Sequence, residues 1–349
     1  MIDPKLTRAL LRPLLTALAL TLFSLTPHHL MSQSTPQAGQ SESDRITGAS
    51  GGSPEVKYSL MSRHDVGVRH VYKYTEVTNV QRQYNDPDST KLKYSRRMTY
   101  FLTMFMPEDP DDGRKTFYIN IDSMYFEFDN FQSEYLEYDS QKDEANLNHP
   151  ELLAATVLMN RPVYMTYSPY GEVVGYESEE LDFLRNYLND GGDTVLPALD
   201  YFLWWDRMDQ KNITQLLDVQ RNLLPETFIY PDSSWQRGVS MRYDGINFSG
   251  AAQLHVDKFD KGIYEIVGKS PKLQLSPSQK LYMYGHPDFC FVDSGQAEAE
   301  YQVRFNRLGV LGSVETKLKA TIKVDSKPWS FTEYLTTDNK MELMGRWQW

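Results

Sequence analysis

Residues 164–177 read YMTYSPYGEVVGYE and residues 302–315 read QVRFNRLGVLGSVE, and the two align without a gap. Met165 meets Val303, Tyr167 meets Phe305, Ser168 meets Asn306, Gly171 meets Gly309 and Val173 meets Leu311. Each copy has a short alternating run, a small polar residue, two spacers, a glycine and a second apolar run. Alternation buries one face of a strand, and glycine supplies the positive φ that a tight turn needs. The phrase is a β-hairpin used twice. It sets the expected fold: mainly β (α+β), two related antiparallel curved β-sheet halves with a helical block between them. Neither copy carries a nucleophile, a base or a metal-ligand set. The pair marks an equivalent point in each half and argues for an internal duplication.

Working outward, the chain divides into an N-terminal β-meander half (56–177), a helical connector (178–233) and a C-terminal β-meander half (234–349). The 23 Tyr, 16 Phe and 6 Trp are the residue types that half-buried sheets use. In the first half, strands are expected at 56–62, 68–82, 92–106, 116–129 and 131–138. In the fourth of these, Phe117, Ile119 and Ile121 share one face. Asp112-Gly113 is a hairpin signal before it. His149-Pro150 opens a short helix, PELLAATVLMN, with proline in the first turn where its missing N–H costs nothing.

In the connector, Ser178 caps a helix with Glu179 and Glu180 at its positive end, and Leu181, Leu184, Tyr187 and Leu188 form one face. Gly191-Gly192 stops it, and two further helices are expected at 195–208 and 212–223. The second half is expected to have strands at 238–247, 250–258 and 262–268. A loop over 270–287 follows, with a short strand at 281–284. The last strands are 299–306, 310–324 and 329–344, with Thr337-Asp338-Asn339-Lys340 as the final turn.

Residues 1–32 read as a signal peptide: Lys5, Arg8 and Arg12 precede an apolar core, Leu14 to Leu25, shorter than a membrane span. A cut after Ser32 is expected, which makes the protein periplasmic or extracellular; an uncleaved anchor is the alternative. No cysteine lies near the cut, so a lipid-anchored lipoprotein is excluded. Residues 33–55 are Ser-, Gly-, Gln- and Pro-rich and read as a flexible linker.

The formal net charge is −11, and loss of the signal removes more basic residues than acidic ones. Such a chain does not hold a phosphate backbone by counterion release, so no nucleic acid is expected as partner. The single cysteine, Cys290, has no disulfide partner and reads as a small core residue. His286 is four residues away, roughly 13 Å along a strand, too far to serve as its base. The acidic run from Glu108 to Gly113 fails as an EF-hand because Pro110 and Ile119 fall on ligand positions, and it reads as a hairpin tip. Phe291-Val-Asp293-Ser-Gly295 resembles one half of an aspartic-protease pair, but no second copy exists, so it reads as a strand-end turn. His64, His70, His255 and His286 are scattered. No nucleophile elbow, phosphate loop or dinucleotide fingerprint occurs. No cofactor, no metal and no catalytic residue is expected.

Trp204-Trp205 sit beside Phe202 and Leu203 in a helix that is apolar nearly all round. The simple reading is a helix packed in the core of a concave sheet. The functional reading is a cover over an apolar groove, with Phe202, Trp204, Trp205 and Trp235 as ligand-groove candidates.

The order of elements, with Gly171-x-Val173, Leu224-Pro225 and Ser234-Trp235 at fixed places, resembles a family of exported bacterial β-rich proteins with no assigned function, many of them lipoproteins. The resemblance covers about residues 56–349. Members often have a glycine two before the tryptophan, where this chain has Ser233, and this chain lacks the lipoprotein cysteine. The family has no catalytic residues to carry over. The expected function is an exported, non-enzymatic binding or structural protein of the envelope. The alternatives are a carrier of an apolar ligand or lipid and, behind it, a hydrolase with an unrecognised site. The partner is left open between an apolar small molecule and an envelope protein.

Overall fold

The computed structural model describes residues 64–86, 91–108, 114–143, 149–168, 172–190, 198–218, 223–225, 233–260, 263–284, 289–306 and 309–348. They belong to one compact unit, Val56–Trp349. The signal, the linker, the expected strand at 56–62, the Asp112-Gly113 turn and the Gly191-Gly192 stop lie outside them.

The first half contains β1 (Val68–Tyr84), β2 (Leu92–Phe105), β3 (Lys115–Asp129), β4 (Tyr135–Asp139), α1 (Pro150–Thr156), β5 (Val163–Tyr167) and β6 (Val173–Glu177). Residues 178–233 hold α2 (Glu179–Asn189), α3 (Ala198–Met208) and α4 (Gln210–Leu217). The second half contains β7 (Ser234–Tyr243), β8 (Ile246–Asp260), β9 (Ile263–Leu275), β10 (Lys280–Tyr282), β11 (Phe289–Phe291), β12 (Ser294–Phe305), β13 (Leu311–Ser326) and β14 (Trp329–Gln348). The fold is mainly β. One antiparallel sheet of 12 strands runs in the order β6-β5-β3-β2-β1-β14-β13-β12-β9-β8-β7, with β4 beside β3. β10 and β11 pair with each other.

The repeated phrase forms the same hairpin twice. Tyr164 faces Glu177 across β5–β6, and Gln302 faces Glu315 across β12–β13. Both ladders slip at the same step, Thr166/Tyr167 and Arg304/Phe305. In both turns the backbone closes identically: Ser168 N–H donates to the Glu172 carbonyl at 2.7 Å, and Asn306 N–H to the Val310 carbonyl at 2.9 Å. The small polar residue is the reason. Ser168 Oγ accepts from Glu172 N–H at 3.2 Å, and Asn306 Oδ1 accepts from Val310 N–H at 3.1 Å. Gly309 has φ +74, as a turn glycine requires.

Several local expectations fail. Residues 337–340 do not turn, because β14 runs straight through them. β1 and β13 pair with both its edges, and Thr337 and Asn339 point into the core. Twenty residues of two-sided ladder outweigh local turn propensity. The expected strand 238–247 is cut by a hairpin at Asp244-Gly245, whose φ values of 38 and 90 mark a primed two-residue turn. The loop expected from 270 begins only after Leu275, because Ser270 and Leu273 keep β9's alternation and are buried. On α2, Leu181, Leu184 and Leu188 are buried as expected, whereas Tyr187 is exposed.

The sheet curls around its inner face. Tyr94 on β2 and Tyr243 on β7 meet hydroxyl to hydroxyl at 3.0 Å, although seven places separate their strands in the sheet order. At the two sheet edges, Arg237 on β7 bonds Glu172, next to β6, at 3.0 Å. β6 and β7 do not pair among the described residues. The inner face is aromatic: Tyr72, Tyr74, Tyr94, Tyr100, Phe117, Phe126, Phe128, Phe248 and Phe331 are all fully buried. Apolar side chains of all four helices pack into the same cluster, including Leu152, Leu184, Trp204 and Leu217. The outer face is charged, with cross-strand pairs such as Lys269–Glu300 at 2.9 Å and Lys340–Glu315 at 3.3 Å.

Candidate functional site

The inner face carries charge where alternation should place apolar residues. On β1, Glu76, Thr78 and Arg82 are in phase with Tyr72, Tyr74 and Val80 and are buried. Arg96 on β2 and Glu333 on β14 do the same. These positions were legible from strand parity, since a charge in phase with a buried run has to find a partner. They were missed because motif reading looks along the chain, and these partners lie far apart in it.

Arg96 is the centre. Its Nη1 donates to Glu151 Oε2 on α1 at 2.6 Å, and its Nη2 to Asp244 Oδ1 in the β7–β8 turn at 3.1 Å. Glu76 Oε1 lies 3.5 Å from Nη2 and accepts the Tyr74 hydroxyl at 2.9 Å through its other oxygen. Burial by itself pushes the Arg96 guanidinium down, but Asp244, Glu151 and Glu76 together hold it well above its usual value. A second pair is more deeply placed. Arg82 Nε and Nη2 both donate to Glu333 Oε2, at 2.9 and 2.7 Å, and the guanidinium lies 4.6 Å from the Phe331 ring centre. Burial pushes both the Tyr94 and the Tyr243 phenols well up, so both stay neutral and bond as hydroxyls.

The helical block is tied to this strip. Arg242 on β7 reaches Asp206 of α3 at 2.6 Å. The Gln215 amide of α4 pairs with the backbone of Arg242 in both directions, accepting its N–H at 2.5 Å and donating to its carbonyl at 3.1 Å. That gives β7, the last strand in the sheet order, a side-chain partner at one position. Arg207 of α3 makes no ion pair among the described residues. Burial and then Arg96 push it down, but Glu76 and Asp244 prevail and raise it.

Between these groups lies a cavity of about 30 Å³, lined by Glu76, Arg96, Arg207, Arg242, Asp244 and Thr337 among others. It is polar and of the size of one or two waters. Its carboxylates are engaged by arginines, and the Tyr94 and Tyr243 phenols beside it are neutral. Among the described residues, no group of three or more His, Cys, Asp or Glu is placed to hold a metal ion.

Three of the four aromatic groove candidates have described side chains, and all three pack against the core cluster. Trp204 is in the core, and its Nε1 is buried without an acceptor. Trp205 and Trp235 are half-buried against the same cluster, and Trp235 Nε1 donates to the Leu223 carbonyl at 2.9 Å. The Phe202 side chain lies outside the described residues. Cys290 is buried, and burial pushes its thiol up to about 12. His64 and His70, which no motif links, are brought together with ring centres 5.1 Å apart. His286 lies outside the described residues, and Asp293 sits in a turn between β11 and β12, accepting the Asp325 N–H at 2.5 Å.

No family model and no curated protein matches this chain. Among solved structures, one concerned with lipid–protein interactions in lipovitellin matches with a TM-score of 0.40 and 10% identity over 82% of this chain. This chain spans 26% of that one. Neisserial surface protein A matches with a TM-score of 0.20 and 6% identity, covering 80% of this chain and 99% of that one. An outer membrane channel from Pseudomonas putida matches with a TM-score of 0.23 and 8% identity, covering 83% and 100%. All three scores are too low to assign this chain any property of those proteins.

Proposed function

We propose that this is an exported, non-catalytic β-rich binding protein of the cell envelope that works through its outer surface, around a filled interior. The observation that supports it best is the inner face of the sheet. Among the described residues the helices pack apolar side chains against it, and the cavity beneath α3 and α4 is small and polar. An apolar ligand pocket takes several hundred Å³. A carrier would need α3 and α4 to leave the sheet and expose Trp204, Met208, Ile213 and Leu217, all buried. At about 1.5–3 kcal/mol for each side chain, that costs roughly 6–12 kcal/mol before any ligand binds. The charged outer face also speaks against a lipid-facing barrel wall, which carries an apolar band.

Export rests on residues 5–25 and on the resemblance to exported envelope proteins. We also infer that the two halves descend from one duplicated meander, because β1-β2-β3-β5-β6 and β7-β8-β9-β12-β13 follow the same course in the sheet and end in the same hairpin. Fractionation of the source cell with N-terminal sequencing tests export: a chain starting near Gln33 in the envelope or medium is expected. Full-length chain in the cytosol refutes it. Solvent extraction and mass spectrometry of the purified protein should show no stoichiometric lipid; one lipid per chain refutes the filled interior.

A further inference from the structure

The outer face of β2, β3, β5 and β14 differs from the rest of the convex surface. A row of aromatic residues crosses it at one level. Phe105 faces Tyr118 and Tyr118 faces Tyr164 in register, with ring centres 4.9 and 5.5 Å apart. Tyr164 in turn faces Glu177 on the edge strand. Trp347, on β14, faces Arg69 of β1 at the other end of the row. Trp347 is 54% and Tyr164 44% exposed.

The acids here also differ from the glutamates of β9, β12 and β13. On β9, β12 and β13 the outward glutamates have lysine partners, as in Lys269–Glu300 and Lys319–Glu298. Beside the aromatic row, Asp122, Glu177 and Glu180 make no ion pair among the described residues. Asp122 is instead held in place by Thr103 Oγ1 at 2.6 Å and Asn120 Nδ2 at 2.7 Å. Burial, then Tyr164, Asp122 and Glu180, push the Tyr118 phenol up and Arg69 draws it down, so the acids within electrostatic reach of the row outweigh the one arginine there. Aromatic faces and carboxylates without an ion-pair partner attract the same thing, a cation.

We propose that this face docks a basic segment of a partner protein, with arginine or lysine side chains laid over Tyr118 and Tyr164 and paired with Asp122 and Glu177. Charge complementarity selects this occupant over an anionic lipid surface, which the acids would repel. The proposal rests on reading the protein as one that binds through its outer surface. It is independent of export, because its test uses purified protein.

The probe is an oligo-arginine peptide, titrated against the protein by calorimetry at low and at raised salt. Because the whole chain is acidic, Glu298→Gln/Glu300→Gln on the other wall serves as a control with the same change in charge. Asp122→Asn/Glu177→Gln is expected to weaken binding about fivefold or more, and the control less than about twofold. Tyr118→Ser/Tyr164→Ser should lose about as much at raised salt, where the ionic part is screened. Should the tyrosine variant fail to fold, as judged by circular dichroism, the charge variant alone decides. Equal losses in the Asp122/Glu177 variant and the control overturn the proposal. So does the absence of saturable binding, or equal binding of oligo-glutamate or of phosphatidylglycerol vesicles.

Discussion

Arg96→Met removes the cation that three carboxylates share. Methionine occupies much of the same space, so the cavity left is small and the electrostatic loss dominates. Arg96 is fully enclosed and bonds Glu151 at 2.6 Å and Asp244 at 3.1 Å, with Glu76 at 3.5 Å. Glu76 keeps the Tyr74 hydroxyl, but Glu151 Oε1 and Asp244 Oδ2 already lack a partner. Breaking a buried pair from one side costs about 3–5 kcal/mol, because the remaining charge is stranded. With two carboxylates stranded, the expected loss lies at the upper end, about 5 kcal/mol. Urea unfolding followed by tryptophan fluorescence measures it, with an unchanged slope showing that the folded state is intact. Adding Glu151→Gln to Arg96→Met should restore about 1 kcal/mol or more, since it removes one stranded charge; alone, Glu151→Gln should destabilise. A loss below about 1 kcal/mol for Arg96→Met, or strictly additive effects, would refute the reasoning.

Three further outcomes follow from the packing. His64 is held neutral by burial, then by His70, Lys115 and Arg346, which lower it from 6.5 to about 3. The unfolded chain takes up this proton as pH falls through 6.5, the folded chain only near 3, so stability present above pH 6.5 drains away across that window, on the order of 5 kcal/mol. His64→Phe should flatten the acid limb of a pH–stability curve, and an unchanged limb would count against the assignment. Gly268→Ala should cost about 1–3 kcal/mol in urea unfolding, because its Cβ would lie 2.9 Å from the Gln253 carbonyl oxygen and 2.6 Å from Leu254 Cδ2; a neutral result would show that β8 and β9 can part. Cys290, buried and with its thiol raised to about 12, should react with a thiol reagent only after unfolding. Rapid labelling of native protein would contradict its place in the core.

Much of the sheet was legible because alternation is a local signal. The repeated phrase gave both hairpins, and Phe117, Ile119 and Ile121 gave the buried face of β3. What failed was decided by partners distant in sequence. Thr337 to Lys340 look like a turn, and become a strand only because β1 lies on one side and β13 on the other. Ser178 as a cap was readable, since its Oγ accepts the Leu181 N–H within one turn, at 3.4 Å. The Arg96 cluster was not, because it joins β2, α1 and the β7–β8 turn, which meet only after the sheet has curled. The aromatic row was hidden for a related reason: Trp347, Phe105, Tyr118 and Tyr164 come into line only through cross-strand register.

The central claim is that the interior is a filled core. Titration of the purified protein with a fluorescent fatty acid tests it most directly. The account predicts no saturable binding and no change in α3, read from Trp204 and Trp205 emission. Saturable one-to-one binding that shifts that emission would show that the helices leave the sheet for a ligand, and would contradict it.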